Sequence, residues 1–153
     1  MIVADTNLIV YYVLEGDRSD AASGVRRRDP SWVAPPLWAS ECRNALVQHV
    51  RHGRLALTQA RGAWGVARAL VRDVEVDPLA ALDAAHAHGL SGYDAEFVAL
   101  AEALGVPLVT DDRRVLTSCP GLAVPLDAFG DGAHDGESPG DPSDAPGPDT
   151  AGR

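Results

Sequence analysis

"SGYDAEFVALAEALGVPLVTDD", residues 91–112, decides how this chain folds. Ser91 stands three residues before Asp94, the spacing of a capping box that opens a helix. Phe97, Val98, Leu100, Ala101 and Leu104 follow at helical intervals, and they predict a helix over 93–104 with that face buried. Gly105 ends it. Val106–Val109 then reads as a short apolar strand that stops at Thr110 and two adjacent acids, Asp111 and Asp112. A helix running at once into a strand, with polar residues at the strand's end, is the unit from which α/β domains are built.

The same alternation continues outward. Ile2–Ala4 reads as a strand with a helix over 8–14 behind it. Trp32–Ala34 is a strand closed by Pro35-Pro36, flanked by helices over 18–28 and 37–52. A helix over 58–72, capped by Thr58, leads to a strand at 74–76. Pro78–His88 is a helix, and residues 123–126 form a last strand. The pattern predicts an α/β fold with a mainly parallel central sheet. The domain spans residues 1–129. Residues 130–153 hold six Gly, four Pro and six acids with almost nothing apolar, the composition of a disordered acidic tail.

Bulk properties narrow the chemistry. With 46% hydrophobic and 23% charged residues, the 153-residue chain is an ordinary globular one. Its net charge of −9 gives no bulk attraction for nucleic acid, so any such contact must rest on local arginines. All 13 basic residues are Arg, which with the Ala and Gly content suggests a GC-rich coding bias. Two cysteines make no disulfide framework, and "MIVADTNLIVYYVL" has no basic leader, so a cytoplasmic protein is expected. No apolar run reaches the length of a membrane span, and no membrane association is expected. Zinc-type His/Cys spacing, a phosphate-binding glycine loop and a nucleophile elbow are all absent from the sequence.

What remains is a set of acids at strand ends and helix starts: Asp5 in "VADTN", Glu41 in "SECRNAL", Asp94 in "SGYDA" and Asp112 in "VTDD". In a parallel sheet such positions gather at the carboxyl edge, where ligands bind. Each has a plain structural explanation as well. Asp5 or Thr6 is a favoured helix cap, Glu41, Asn44 and Gln48 form an ordinary polar stripe, and Thr110 can cap a helix whose first turn carries Asp111 and Asp112. Four carboxylates drawn together would raise one another's pKa, and a divalent cation removes that penalty. Oxygen ligands suit Mg²⁺ or Mn²⁺, and such a site suits attack of water on a phosphodiester.

In order and wording these motifs resemble the PIN-domain ribonucleases, and most closely the VapC-like toxins of bacterial toxin–antitoxin pairs. The similarity spans Met1 to Phe129. It implies a three-layer α/β/α sandwich and Mg²⁺- or Mn²⁺-dependent cleavage of RNA to 5′-phosphate and 3′-hydroxyl ends. It further implies that Asp5, Asp94 and Asp112 hold the metal. Glu41 completes the shell or helps deprotonate the attacking water, and Thr6, Asn7, Asn44 and Thr110 orient ligands or substrate. Arg113 and Arg114, beside Asp112, are the candidates for RNA phosphates. A cognate antitoxin and a homodimer are the implied protein partners. The alternative is a non-catalytic PIN-like module that binds RNA or protein. A phosphatase or phospho-receiver would want a downstream Lys, and the chain has none.

Overall fold

A computed structural model describes residues 1–131. Five strands form one parallel sheet: β1 Ile2–Ala4, β2 Trp32–Ala34, β3 Val71–Asp73, β4 Leu108–Val109 and β5 Ala123–Val124. Their spatial order is β3-β2-β1-β4-β5. Eight helices connect and cover them: α1 Thr6–Val13, α2 Ser19–Arg28, α3 Leu37–Arg51, α4 Leu57–Leu70, α5 Pro78–His88, α6 Gly92–Leu104, α7 Arg113–Ser118 and α8 Leu126–Asp131. α1 packs on α2, α3 and α4, and α2 on α8, while α5 and α6 pair with each other. From β1 the chain steps to β2 and β3 in one direction, then returns through α5 and α6 to β4 on the other side of β1. Right-handed crossovers place those two helix groups on opposite faces, giving the three-layer sandwich.

Both faces of the central strands are therefore covered. Ile2-Val3-Ala4 and Trp32-Val33-Ala34 are buried throughout, as continuous apolar runs in a parallel sheet should be. Helix α6 lies against β1 and β4, and Ala95 and Phe97 to Ala101 are all buried. Leu104, expected in the core, is 37% exposed at the end of that helix.

Four local expectations need correcting. The edge strand is Val71–Asp73, three residues before the expected 74–76. α4 ends at Leu70 and turns straight into the sheet, so Val71 pairs with Trp32 and Asp73 with Ala34. Only Val71 is buried there, because an edge strand needs one apolar contact rather than an alternating row. Asp73 accepts hydrogen bonds from Trp38 Nε1 (2.8 Å) and Arg68 (2.7 Å), which hold its carboxyl below the usual range. Second, Thr58 does not cap α4: Ala56 does, and its N–H donates to Gln59 Oε1 at 2.8 Å. Third, α7 is capped by Asp112, not Thr110. Fourth, Leu126 opens α8 instead of ending the last strand. Gly130 and Asp131 close α8; the remainder of the expected tail lies outside the described residues.

The helix ends follow from local chemistry. Asp77 accepts from Leu79 N–H at 3.0 Å and Pro78 starts α5, while Gly105 ends α6 in the left-handed region at φ 62°. Glycine tolerates that backbone and alanine does not, whereas the exposed Gly65 inside α4 has ordinary helical backbone and open space around it. One substitution should therefore act in opposite directions. Gly105→Ala should lower stability by about 1 kcal/mol, and Gly65→Ala should raise it by about 0.5–1 kcal/mol. Urea unfolding of the two variants beside the parent checks both signs.

Candidate active site

β1 is the switch point of the sheet: its outgoing connection leaves toward β2, and the returning chain enters at β4. Crevices at such points lie beyond the strands' carboxyl ends. Val3 pairs with Leu108 and Ala4 with Val109, so the next residues, Asp5 and Thr110, emerge side by side. Asp5 N–H completes the ladder to Val109 O at 3.2 Å.

The Thr110 side chain is fully buried, and its hydroxyl makes every hydrogen bond it can. It donates to Asp5 Oδ2 and accepts from Asn7 Nδ2 (3.1 Å) and Asp112 N–H (2.9 Å). Asn7 Nδ2 also donates to Asp5 Oδ2 at 2.8 Å, and Thr6 N–H donates to Asp5 Oδ1 at 2.6 Å. The Thr6 hydroxyl reaches the other way, to Glu41 Oε2 at 2.5 Å. Asp5, Thr6, Asn7, Glu41, Thr110 and Asp112 thus form one hydrogen-bonded unit drawn from three places in the sequence. No buried side-chain polar atom is left without a partner among the described residues.

Asp94 enters from α6. Ser91 Oγ caps that helix by accepting from Asp94 N–H (3.1 Å) and returns its proton to Asp94 Oδ2 (2.7 Å). The expected capping pair is therefore made, with a carboxylate favoured in the first helical turn. Asp94 is joined to the others by charge: it raises the pKa of Glu41, as does Glu96. Glu96 was not anticipated. It lies two residues from Asp94, where helical spacing alone would have pointed it elsewhere.

Burial and crowding govern the protons. Burial pushes Asp5 from its ordinary 3.8 up to about 6; hydrogen bonds from Thr110 and Thr6 N–H pull it partly back, and the charges of Glu41 and Asp112 push it up again. Burial is also the main cause of the raised Glu41 pKa, opposed by the Thr6 hydroxyl. Cys42, beside Glu41, is a buried free thiol raised to about 11 by the same desolvation, which fits a packing role.

The pair Asp111-Asp112 divides its labour. Asp112 Oδ1 caps α7, accepting from Arg114 N–H (2.7 Å) and Val115 N–H (3.2 Å). Neither acid lies in the first turn of α7, contrary to expectation. Asp111 instead meets Arg18, whose Nε and Nη2 stand 2.8 and 2.6 Å from its Oδ2, while Leu126 N–H reaches its Oδ1 at 3.3 Å. Arg18 Nη1 continues to Asp127 Oδ2 at 2.9 Å. Spacing could not have revealed a contact between residues 93 apart.

Three expected participants stand apart. Asn44 is exposed one helical turn beyond Glu41 and makes no side-chain hydrogen bond among the described residues. Arg114 donates to Gly89 O at 2.6 Å, tying α7 to the end of α5. Arg113 is exposed, with no ion pair among the described residues.

The donors at this edge are carboxylate, hydroxyl and amide oxygens, which suit a hard cation. Among the described residues no three Asp, Glu, His or Cys side chains converge closely enough to enclose an ion. The residues therefore fit an ion held through one or two carboxylates and otherwise by water, the habit of Mg²⁺, rather than a closed cage.

The comparisons with known proteins agree with this layout. A family model described as PIN domain matches residues 2–118. Ribonuclease VapC3 of Pyrobaculum aerophilum is 31% identical over 129 residues, covering 81% of this chain and 98% of that protein. The crystal structure of PAE2754 from Pyrobaculum aerophilum superposes with a TM-score of 0.68 at 25% identity, covering 84% of this chain and 92% of that one.

A consequence for stability follows. The folded chain keeps the Asp5 proton up to pH about 6, whereas an unfolded chain releases it near 3.8. The folded state then binds more protons between those values, so stability falls as pH rises from about 4 to 6. Asp5→Asn should flatten that decline, by on the order of 1–3 kcal/mol. Thermal unfolding of both proteins in EDTA across that range measures it.

Proposed function

The chain belongs to the PIN-domain family, and on that premise we propose that it is a divalent-metal-dependent endoribonuclease acting as the toxin of a toxin–antitoxin pair. The carrying observation is Asp5 at the switch point, bound by Thr110 across the β1–β4 seam, its pKa pushed up to about 6 by burial with smaller contributions from the charges of Glu41 and Asp112. Carboxylates so placed are poor structural elements and good ligands, which supports a nuclease centre over a binding module.

Asp5, Asp94 and Asp112 would hold Mg²⁺ or Mn²⁺, one or two of them directly and the rest through water. When bound, such an ion lowers the pKa of a water and offsets charge on the phosphoryl oxygens. The chain's own residues do the rest. Thr110 and Asn7 fix the Asp5 carboxylate, so it needs no reorientation when an ion or substrate arrives. Glu41, its basicity raised by burial, is the base that takes the proton of the attacking water at Oε1, the oxygen Thr6 leaves free. In this reading water, not the RNA 2′-hydroxyl, attacks the phosphorus, so no residue need activate the 2′-hydroxyl and the products carry 5′-phosphate and 3′-hydroxyl ends. Arg113, exposed one residue from Asp112, is the better candidate for an RNA phosphate, because Arg114 is committed to Gly89. Its partners in this reading are RNA, a cognate antitoxin that covers the cleft, and a second copy of the chain.

Incubation of labelled RNA with Mg²⁺ or Mn²⁺ tests the reading. Cleavage should stop with EDTA and fall at least ~100-fold in Asp5→Asn and Asp94→Asn, with folds intact by circular dichroism. Asp112→Asn should impair cleavage more than Asp111→Asn. Undiminished cleavage in the Asp5 and Asp94 variants would remove the site assignment. RNA binding without cleavage under all metal conditions would favour the non-catalytic module, and a 2′,3′-cyclic phosphate product would overturn the water mechanism.

A further inference from the structure

We propose that Arg18 is a positioning residue for the nuclease centre: by clasping Asp111 it fixes the place of Asp112 beside the β1–β4 seam that carries Asp5. The proposal rests on the nuclease reading of that centre.

Arg18 sits at the start of α2, 93 positions from Asp111, and forms no hydrogen bond to Asp5, Glu41, Asp94 or Asp112. Two of its nitrogens meet one oxygen of Asp111, and the third meets Asp127 at the start of α8. The other Asp111 oxygen takes the N–H of Leu126. Both Asp111 oxygens are therefore spoken for by α2 and α8. Asp112 follows in an extended conformation, φ −69° and ψ 112°. Consecutive side chains of extended backbone point to opposite sides. Anchoring Asp111 toward Arg18 therefore leaves Asp112 on the other side, its N–H on the Thr110 hydroxyl that donates to Asp5 and its Oδ1 on the first amides of α7. The guanidinium also neutralises the one strand-end acid that would add negative charge to a crowded cleft without serving it.

The Arg18–Asp111 pair leaves 33% and 21% of its two side chains exposed, the same values as the pair between the Met1 amino group and Asp29. Ion pairs this exposed contribute little to global stability, and Asp29→Asn is a matched control. In Arg18→Ala, kcat should fall on the order of tenfold while KM for RNA stays within about twofold. Arg18→Lys should recover only part of the loss, because a single ammonium cannot reproduce the forked contact. Hydrogen exchange supplies a readout independent of catalysis. The amides of Arg114 and Val115, which bond Asp112, should exchange on the order of tenfold faster in Arg18→Ala, with those of Val3 and Asp5 unchanged. Asp29→Asn should alter neither kcat nor these amides. An unchanged kcat in Arg18→Ala, full recovery by Lys, or exchange accelerated equally across the sheet would overturn the positioning role. A parent protein that cleaves no RNA would instead remove the nuclease reading, and the exchange measurement would still decide whether Arg18 holds the loop.

Discussion

The Thr110 hydroxyl is the small group on which this structure turns. It is buried, it uses its one proton on Asp5, and it accepts from Asn7 and Asp112. Without it the ends of β1 and β4 would bring together carboxylates with nothing between them. With it, one oxygen holds the Asp5 carboxylate, the Asn7 amide and the backbone N–H of Asp112. The sheet register makes this contact obligatory, because a slip of one residue between β1 and β4 would put the two side chains on opposite faces.

This arrangement opposes stability. Burial raises Asp5 and Glu41, and each feels further negative charge from its neighbours. A chain selected for stability alone would place apolar residues or fewer acids there. The cost is spread over compensations nearby: hydrogen bonds from Thr6 and Asn7, a helix cap made by Asp112, and the guanidinium of Arg18 on Asp111. A local rule is broken at the cleft and kept around it, the usual signature of a functional site.

Much of this was legible in the sequence because the signals are local. β1 and β2 are short apolar runs ended by polar residues or Pro, α5 is fenced by Asp77-Pro78 and Gly89, and α6 by Ser91 and Gly105. The acids stood out by their place at strand ends and helix starts. What escaped is what depends on contacts distant in sequence. β3 holds one buried residue, and the flashier Val74 and Val76 drew the expectation past it. α8 is short and contains Gly, and its place is secured by packing on α2, where a Cβ on Gly130 would meet the Gly24 backbone at 3.4 Å. Asn44 shares a stripe with Glu41 yet faces solvent, since helical spacing tells which residues share a face and not where that face ends.

The seam between β1 and β4 joins the first strand to the fourth, with Asp5 and Thr110 105 positions apart. Closing so long a loop carries a large entropic cost before any contact across it compensates. During synthesis β2 follows β1 closely, but β4, the neighbour of β1 on the other side, emerges only after two further crossovers. The carboxylates consequently lie scattered along a growing chain, and the cleft comes into being only when the sheet closes around β1. An incomplete chain has the acids but not the centre, so the time at which this protein becomes chemically competent is set by its topology.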